Sequence, residues 1–188
     1  MNAVFTPART RISVDRYQKM IAAGVLTKYD RIELIEGEMI DMPPIGKMHS
    51  AVSSRLNELF VLKSSGAATV VVAGPINLGD FSEPQPDLML LKRRADFYST
   101  KIPEAEDVLL IAEVSDSTLA FDQTTKLKLY GQHGIKEYWI VDIAAKRIIV
   151  HREPIANGYT RRLEFQAPDS LSPEAFPSMA IALSDLFP

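Results

Sequence analysis

The 188-residue sequence contains no cysteine and only three histidines. Without thiols the chain can form neither disulfides nor thiolate-bound metal sites, and a reducing cytoplasm is its expected location. With so few histidines, the sequence also offers no defensible Ser-His-Asp series for nucleophilic catalysis. A metal site in this chain must depend mainly on oxygen ligands, which favour Mg²⁺ or Mn²⁺ over a structural Zn²⁺ ion.

The sequence also lacks long apolar runs and a strong excess of one charge. No run approaches the roughly eighteen apolar residues of a membrane helix, and residues 1–11 have no signal-peptide core. We therefore expect no membrane partner. The formal net charge of −3 argues against a protein that coats nucleic acid through bulk charge. The length predicts a single domain over residues 1–188, with residues 1–11 as a loose N-terminal arm.

The first third of the chain predicts a helix, a hairpin and a second helix. Ser13 is a suitable N-cap for apolar residues at helical spacing, and Gly24 is a suitable stop. Residues 31–35 alternate polar and apolar side chains, and residues 39–42 return after a glycine turn as the second strand of a hairpin. Residues 49–63 carry the apolar stripe of an amphipathic helix.

The rest of the chain predicts a sheet. β-Branched or nearly continuous apolar runs indicate strands at residues 69–73, 87–91, 108–114, 135–143, 147–151 and 159–165. The first run is expected to continue through Ile76 and Leu78. A polar, helix-like segment, capped by Ser117 or Asp122, precedes the fourth run. This order predicts an α/β fold with a central mixed β-sheet flanked by helices.

Two of the buried runs each present one acidic side chain. Asp87 opens one run, Glu113 closes the next, and Lys126 lies on the element that follows. Two carboxylates and one cation are the minimum that a divalent-metal phosphodiesterase site needs. Simpler interpretations stay open, since Asp87 could bind local turn amides and Lys126 could be a salt-bridge partner or a solvated lysine. Glu113 is expected to be partly buried and therefore to need a partner.

Other polar residues have two interpretations each. Glu33 is either a solvent-facing strand residue or part of the site, and His49 either caps its helix or contacts substrate. Asp122 is expected to be an N-cap rather than a ligand, and Tyr130 a core or interface aromatic. The basic residues 92–94 form either a solvated loop or a phosphate contact beside the site.

Several motifs occur in a fixed order, namely residues 33–38 (ELIEGE), His49, residues 86–88 (PDL), residues 113–118 (EVSDST), Asp122, Lys126, Tyr130 and residues 134–142 (GIKEYWIVD). This series resembles the Uma2 endonuclease family, which belongs to the PD-(D/E)XK restriction-endonuclease-like superfamily. The resemblance extends from about residue 31 to the apolar C-terminal segment. It implies a restriction-endonuclease-like core with an N-terminal helix and a β-hairpin.

The resemblance also implies a function, Mg²⁺-dependent hydrolysis of phosphodiester bonds in DNA, with Mn²⁺ as a substitute. Asp87 and Glu113 would hold the metal and Lys126 would act in catalysis, with Glu33 and His49 as further site candidates. The superfamily places its lysine two residues after the second acid, where this chain has Ser115. The Uma2 pattern instead has a lysine on the following helix, which Lys126 matches.

Two alternatives to a DNA endonuclease stay open. The chain could be an inactive nuclease-fold protein that binds nucleic acid or a protein partner, which the serine at position 115 and the acidic pI of about 5.7 would suit. It could also hydrolyse another phosphate ester. The resemblance and the aromatic strand around Tyr138 and Trp139 predict a homodimer, an arrangement suited to cutting two strands.

Overall fold

A computed structural model describes residues 10–27 and 29–187 of the chain. The helices are α1 (Val14–Ala22), α2 (Lys47–Ser64), α3 (Leu119–Phe121) and α4 (Leu127–Gln132), with a π-helical turn (Asp122–Lys126) between the last two. The strands are β1 (Ile32–Ile35), β2 (Glu38–Asp41), β3 (Ala68–Val72), β4 (Leu88–Lys92), β5 (Val108–Ser115), β6 (Glu137–Asp142), β7 (Arg147–Ile155), β8 (Gly158–Gln166), β9 (Ser170–Leu171) and β10 (Ile181–Ala182). None of the helices in these ranges is both long and apolar enough to cross a membrane.

The N-terminal region follows the sequence pattern except at the predicted arm. Ser13 caps α1 by accepting a hydrogen bond from the Arg16 amide, as predicted. Residues 1–9 of the arm lie outside the described residues. Arg11, the last residue of the predicted arm, is anchored: its guanidinium stacks over the Phe81 ring and donates to the Glu36 carbonyl at 2.8 Å.

A six-stranded mixed sheet forms the centre of the fold, in the order β3-β4-β5-β6-β7-β8. The neighbours β5 and β6 run parallel, and the other neighbouring strands run antiparallel. A parallel pair needs a crossover connection, which the helical segment from α3 to α4 supplies. The predicted α/β fold with a mixed sheet is therefore confirmed, and β1 and β2 form a separate hairpin.

The two faces of the sheet carry separate hydrophobic cores. On one face the strands pack against α2 and the C-terminal segment around β9 and β10, and on the other they pack against α4 and the hairpin. Side chains alternate between the faces because a strand has a period of two. In β5, Ala112 and Val114 pack on the α2 side and Ile111 on the opposite side. Glu113 therefore points towards the hairpin and α4.

Two expectations about apolar residues are wrong. Ile76 and Leu78 are buried, but they do not extend β3, which ends at Val72. The chain bends at Ala73, whose φ is +49°, and Pro75 has no amide hydrogen for a ladder. Tyr138 and Trp139 are fully buried in the two cores, so this strand offers no dimer surface, although the homodimer itself stays a prediction.

Gly131 allows α4 to approach the β7–β8 hairpin closely. A Cβ at this position would lie 2.6 Å from the Gly158 carbonyl carbon, and backbone cannot move aside as a flexible side chain can. We expect Gly131→Ala to destabilise the fold by about 2–3 kcal/mol through overpacking. Gly134→Ala is the control, because its Cβ meets nothing within 4 Å and only its φ of +74° causes strain, of about 1 kcal/mol. Urea unfolding that gave equal losses would contradict this role of Gly131.

His151 on β7 makes the stability of the fold depend on pH. Its ring stacks with Tyr138 at 6.0 Å, its Nε2 is buried without a hydrogen-bond partner among the described residues, and Arg162 lies nearby. Burial, assisted by the Arg162 charge, lowers the pKa of His151 to about 4. In the unfolded chain the His151 side chain binds a proton near pH 6.5. The stability that depends on neutral His151 is therefore fully present above pH 6.5 and is lost as the pH falls towards 4.

His151→Phe should remove this dependence. Between pH 7.5 and pH 5, wild type should lose about 2 kcal/mol of unfolding free energy more than the variant does. The other titrating groups are common to both proteins, so the difference between the two urea-unfolding curves isolates His151. Parallel losses in the two proteins would show that His151 is protonated equally easily in the folded and unfolded chains.

Candidate functional site

A narrow cleft lies between the hairpin, the start of α2 and the C-terminal end of β5. All five site residues selected from the sequence line it: Glu33, His49, Asp87, Glu113 and Lys126. They come from five different parts of the chain, on β1, on α2, just before β4, on β5 and in the π-helical turn. The fold therefore brings residues that are distant in sequence to the lining of one cleft.

Asp87 is held by groups that are distant in sequence. Its Oδ2 accepts a hydrogen bond from the Val114 amide at 2.8 Å and another from His49 Nε2 at 3.0 Å. A carboxylate only accepts, so His49 must carry its proton on Nε2. The amide that Asp87 binds belongs to β5 and not to a local turn, and Gly46 is the N-cap of α2 in place of His49. The two local interpretations of these residues are therefore wrong.

Glu113 and Lys126 form a buried ion pair. Their side chains are 4% and 1% exposed, and Lys126 Nζ lies 2.8 Å from Glu113 Oε1 and 3.2 Å from Glu33 Oε1. The Tyr130 hydroxyl also donates to Glu113 Oε1, at 2.7 Å. Lys128, two residues further on, is half exposed and lies 3.6 Å from Glu36. Lys126 is therefore not a solvated helix lysine, and its ammonium is directed into the site.

The π-helical turn positions both Asp122 and Lys126 at the cleft. Thr118 is the N-cap of the helical segment, so the expected caps at Ser117 and Asp122 are wrong. Asp122 lies inside the helix, where its Oδ2 accepts hydrogen bonds from Ser115 Oγ and Thr118 Oγ1, both at 2.7 Å. Short π-helical turns within helices are frequent at functional sites. Ser115 cannot supply a positive charge, and its hydroxyl instead holds the carboxylate of Asp122.

The site contains more negative charge than its lysine can balance. Burial raises the pKa of Glu113 well above its usual value, and the charges of Asp87, Asp122 and Glu33 raise it further, against the opposing effect of Lys126. Burial likewise raises the pKa of Glu33. For Lys126, burial alone would lower the pKa, but the carboxylates of Glu113 and Glu33 outweigh it and raise the pKa. A further cation in the cleft would relieve this imbalance.

The oxygen atoms left without partners are suited to a hard divalent cation. Asp87 Oδ1 accepts no hydrogen bond from the described residues, Glu113 Oε2 has only a long contact of 3.4 Å with the Asp87 amide, and Glu33 Oε2 is buried without a partner. Within residues 10–27 and 29–187, no group of three or more His, Cys, Asp or Glu side chains is placed to hold a metal. A pair of carboxylates still fits Mg²⁺, which usually keeps several waters and takes one or two protein carboxylates.

One of the two interpretations of residues 92–94, the phosphate contact beside the site, is wrong. The basic residues 92–94 lie at the far end of β4 from Asp87, where Arg93 stacks over Phe97 and Arg94 pairs with Asp96. They are not beside the site. Tyr130 is a core residue, as predicted, but its hydroxyl also reaches the site. Its spacing of four residues from Lys126 places both side chains on one helix face and could have indicated this contact.

Comparisons with known proteins identify the family and the fold of the chain. A model of the Uma2 family, described as "Putative restriction endonuclease", matches residues 14–184. A crystal structure of "a putative nuclease belonging to DUF820 from Anabaena variabilis" superposes with a TM-score of 0.70. That match covers 94% of this chain and 97% of the other at 20% identity, which shows a shared fold. No curated protein matches the chain. Since the family match spans nearly all of the sequence, the chain belongs to the Uma2 family.

Proposed function

We propose that this chain is a Mg²⁺-dependent endonuclease that hydrolyses phosphodiester bonds in DNA. One observation carries the proposal: Lys126 Nζ, although supplied by the helical segment, lies 2.8 Å from Glu113 Oε1 in the cleft that Asp87 also lines. Two carboxylates and a cation thus line the same cleft, which supports a site for metal-dependent phosphodiester hydrolysis. Membership in a family described as "Putative restriction endonuclease" supports a hydrolase that acts on nucleic acid.

The two carboxylates divide their oxygen atoms between the protein and the cleft. Asp87 Oδ2 is held by Val114 and His49, and Glu113 Oε1 by Lys126 and Tyr130. The remaining oxygens, Asp87 Oδ1 and Glu113 Oε2, are the proposed metal ligands. A bound divalent ion supplies electrophilic activation of the phosphate and of a water molecule. The protein contributes ligands that are already oriented before the ion arrives.

Lys126 supplies positive charge where the attacked phosphate becomes more negative. Buried charges act strongly because little water screens them, and an oriented cation stabilises developing charge without reorganising. Glu33 holds the ammonium from the hairpin side at 3.2 Å. His49 orients Asp87 through the hydrogen bond at 3.0 Å and is also at the cleft surface, where it can reach substrate. No covalent intermediate is required.

A second function, nucleic-acid or protein binding without cleavage, is favoured by one observation. The Lys126 side chain is only 1% exposed and is already engaged by two carboxylates, so an entering phosphate would have to compete for it. Turnover assays on the purified wild-type chain with supercoiled and linear DNA separate cleavage from binding.

A cytoplasmic location and a homodimer also stay predictions.

Metal binding should stabilise the wild-type chain through Asp87. An ion that binds only the folded state at a hundredfold excess over its Kd adds about 2.7 kcal/mol, which for a chain of this size raises Tm by roughly 5–10 °C. In Asp87→Asn this rise in millimolar MgCl₂ or MnCl₂ should vanish. The metal-free variant should be no less stable than wild type, because one repelling charge is gone.

Asp116→Asn is the matched control, since Asp116 is an exposed acid that lines the same cleft and is not a proposed ligand. It should keep the wild-type shift. Thermal-shift titrations of the three proteins give the comparison. A wild-type chain without any metal-dependent rise, or an equal rise in Asp87→Asn, would remove the metal site from the proposal.

Lys126→Met should reduce the DNA cleavage rate by about 10²–10³-fold, as expected when one oriented electrostatic group is removed. Methionine keeps most of the side-chain volume. Lys128→Met should leave the rate nearly unchanged, because that ammonium faces Glu36. Cleavage of plasmid DNA is measured at saturating Mg²⁺, with circular dichroism to check folding. Similar losses in both variants would indicate a diffuse charge effect and contradict a specific role for Lys126.

A further inference from the structure

The phenol of Tyr130 ends at the candidate site without forming part of its surface. Its side chain is fully buried, and the residue is absent from the cleft lining. Its hydroxyl donates a hydrogen bond of 2.7 Å to Glu113 Oε1. Tyr130 therefore cannot touch a substrate that enters the cleft, and any effect on the chemistry must act through Glu113.

The hydrogen bonds of Glu113 are strongly asymmetric. Oε1 accepts from Tyr130 at 2.7 Å and from Lys126 at 2.8 Å, whereas Oε2 has the long contact of 3.4 Å with the Asp87 amide. Two short bonds to one oxygen fix the carboxylate plane and leave the other oxygen free. Asp87 has the same asymmetry, because both of its partners bind Oδ2.

Lys126 alone would not fix this orientation well. Its ammonium has no fixed fork of donors, unlike a guanidinium, and is shared with Glu33 at 3.2 Å. The Tyr130 ring is held by packing, with its centroid 4.9 Å from that of Tyr138 in an edge-to-face arrangement. The phenol hydroxyl can donate one hydrogen bond, and in this structure it donates it to Glu113 Oε1.

We propose that Tyr130 is a positioning residue for the metal site: it fixes Glu113 through Oε1 so that Oε2 faces the position of the divalent ion. This inference rests on the proposed function of the cleft and adds a residue to it. Groups that orient a metal ligand from behind typically contribute 10–100-fold to metal affinity. The contribution should therefore appear in metal binding even when no DNA is present.

Tyr130→Phe isolates the proposed contact, because it removes one oxygen atom and keeps the ring. Tyr138→Phe is the matched control. Tyr138 is also fully buried and packs directly against Tyr130, but its hydroxyl donates to the Asp122 backbone carbonyl at 3.2 Å. Both variants lose a buried phenol hydroxyl from the same core. Only Tyr130→Phe loses a hydrogen bond to Glu113.

The experiment is Mn²⁺ titration of the wild type and both variants by isothermal calorimetry, without nucleic acid and at constant pH. We expect Kd for Mn²⁺ to rise 10–100-fold in Tyr130→Phe and to change less than about twofold in Tyr138→Phe. In cleavage assays the half-saturating Mg²⁺ concentration of Tyr130→Phe should rise by a similar factor, with the rate largely restored at high Mg²⁺.

The outcomes separate this inference from the function on which it rests. If the wild type binds Mn²⁺ and Tyr130→Phe binds it equally well, Tyr130 has no positioning role and the proposed function survives. If both variants lose affinity equally, the effect is a general loosening of the core and the inference is overturned. A wild type that binds no Mn²⁺ overturns the metal site and this inference together.

Discussion

The ammonium group of Lys126, enclosed between Glu113 and Glu33, is the contact on which the rest of the site depends. Burying an ammonium is costly unless carboxylates at short distance compensate for its lost hydration. Those carboxylates come from the central sheet and from the separate N-terminal hairpin. One side chain therefore joins the helical crossover, the sheet and the hairpin. Its removal would leave the buried carboxylates of Glu113 and Glu33 without a cation between them, so Lys126 has a structural role as well as its proposed catalytic one.

The lysine does not cancel the charge that the fold gathers around it. Burial raises the pKa of Glu113 and Glu33, the charge of Asp87 adds to both shifts and those of Asp122 and Glu33 add to that of Glu113, and one cation opposes them. In Asp87 and Glu113 the short hydrogen bonds all go to one of the two carboxylate oxygens. Asp122 follows the same rule, since Ser115 and Thr118 both donate to its Oδ2. The result is a cleft with oriented, electron-rich oxygens and too little positive charge.

Sequence reasoning identified the acids because they interrupt apolar runs. An acid such as Glu113 at the end of a buried strand demands a partner, and the period of two in β5 then fixes the face on which that partner lies. The same reasoning failed where function depends on local geometry without periodicity. The π-helical turn carries no recognisable pattern, so the sequence wrongly predicts a cap at Asp122. The sequence correctly predicts Tyr130 as a core residue but gives no sign of its hydrogen bond to Glu113. For residues 92–94 it leaves a phosphate contact open, because closeness in sequence to Asp87 hides the full length of a strand.

The parallel pairing of β5 and β6 explains how a lysine outside the sheet can lie beside an acid on β5. A parallel neighbour obliges the chain to rise from the end of one strand, turn back across the sheet and descend to the start of the next. In this fold that return path passes over the face on which Glu113 projects, and Tyr130 packs there against Tyr138. A side chain on the underside of the crossover can therefore reach an acid on β5, as Lys126 does at 2.8 Å from Glu113. The positive charge beside the acid then comes from a residue outside the strand, and its position depends on how the crossover packs on the sheet.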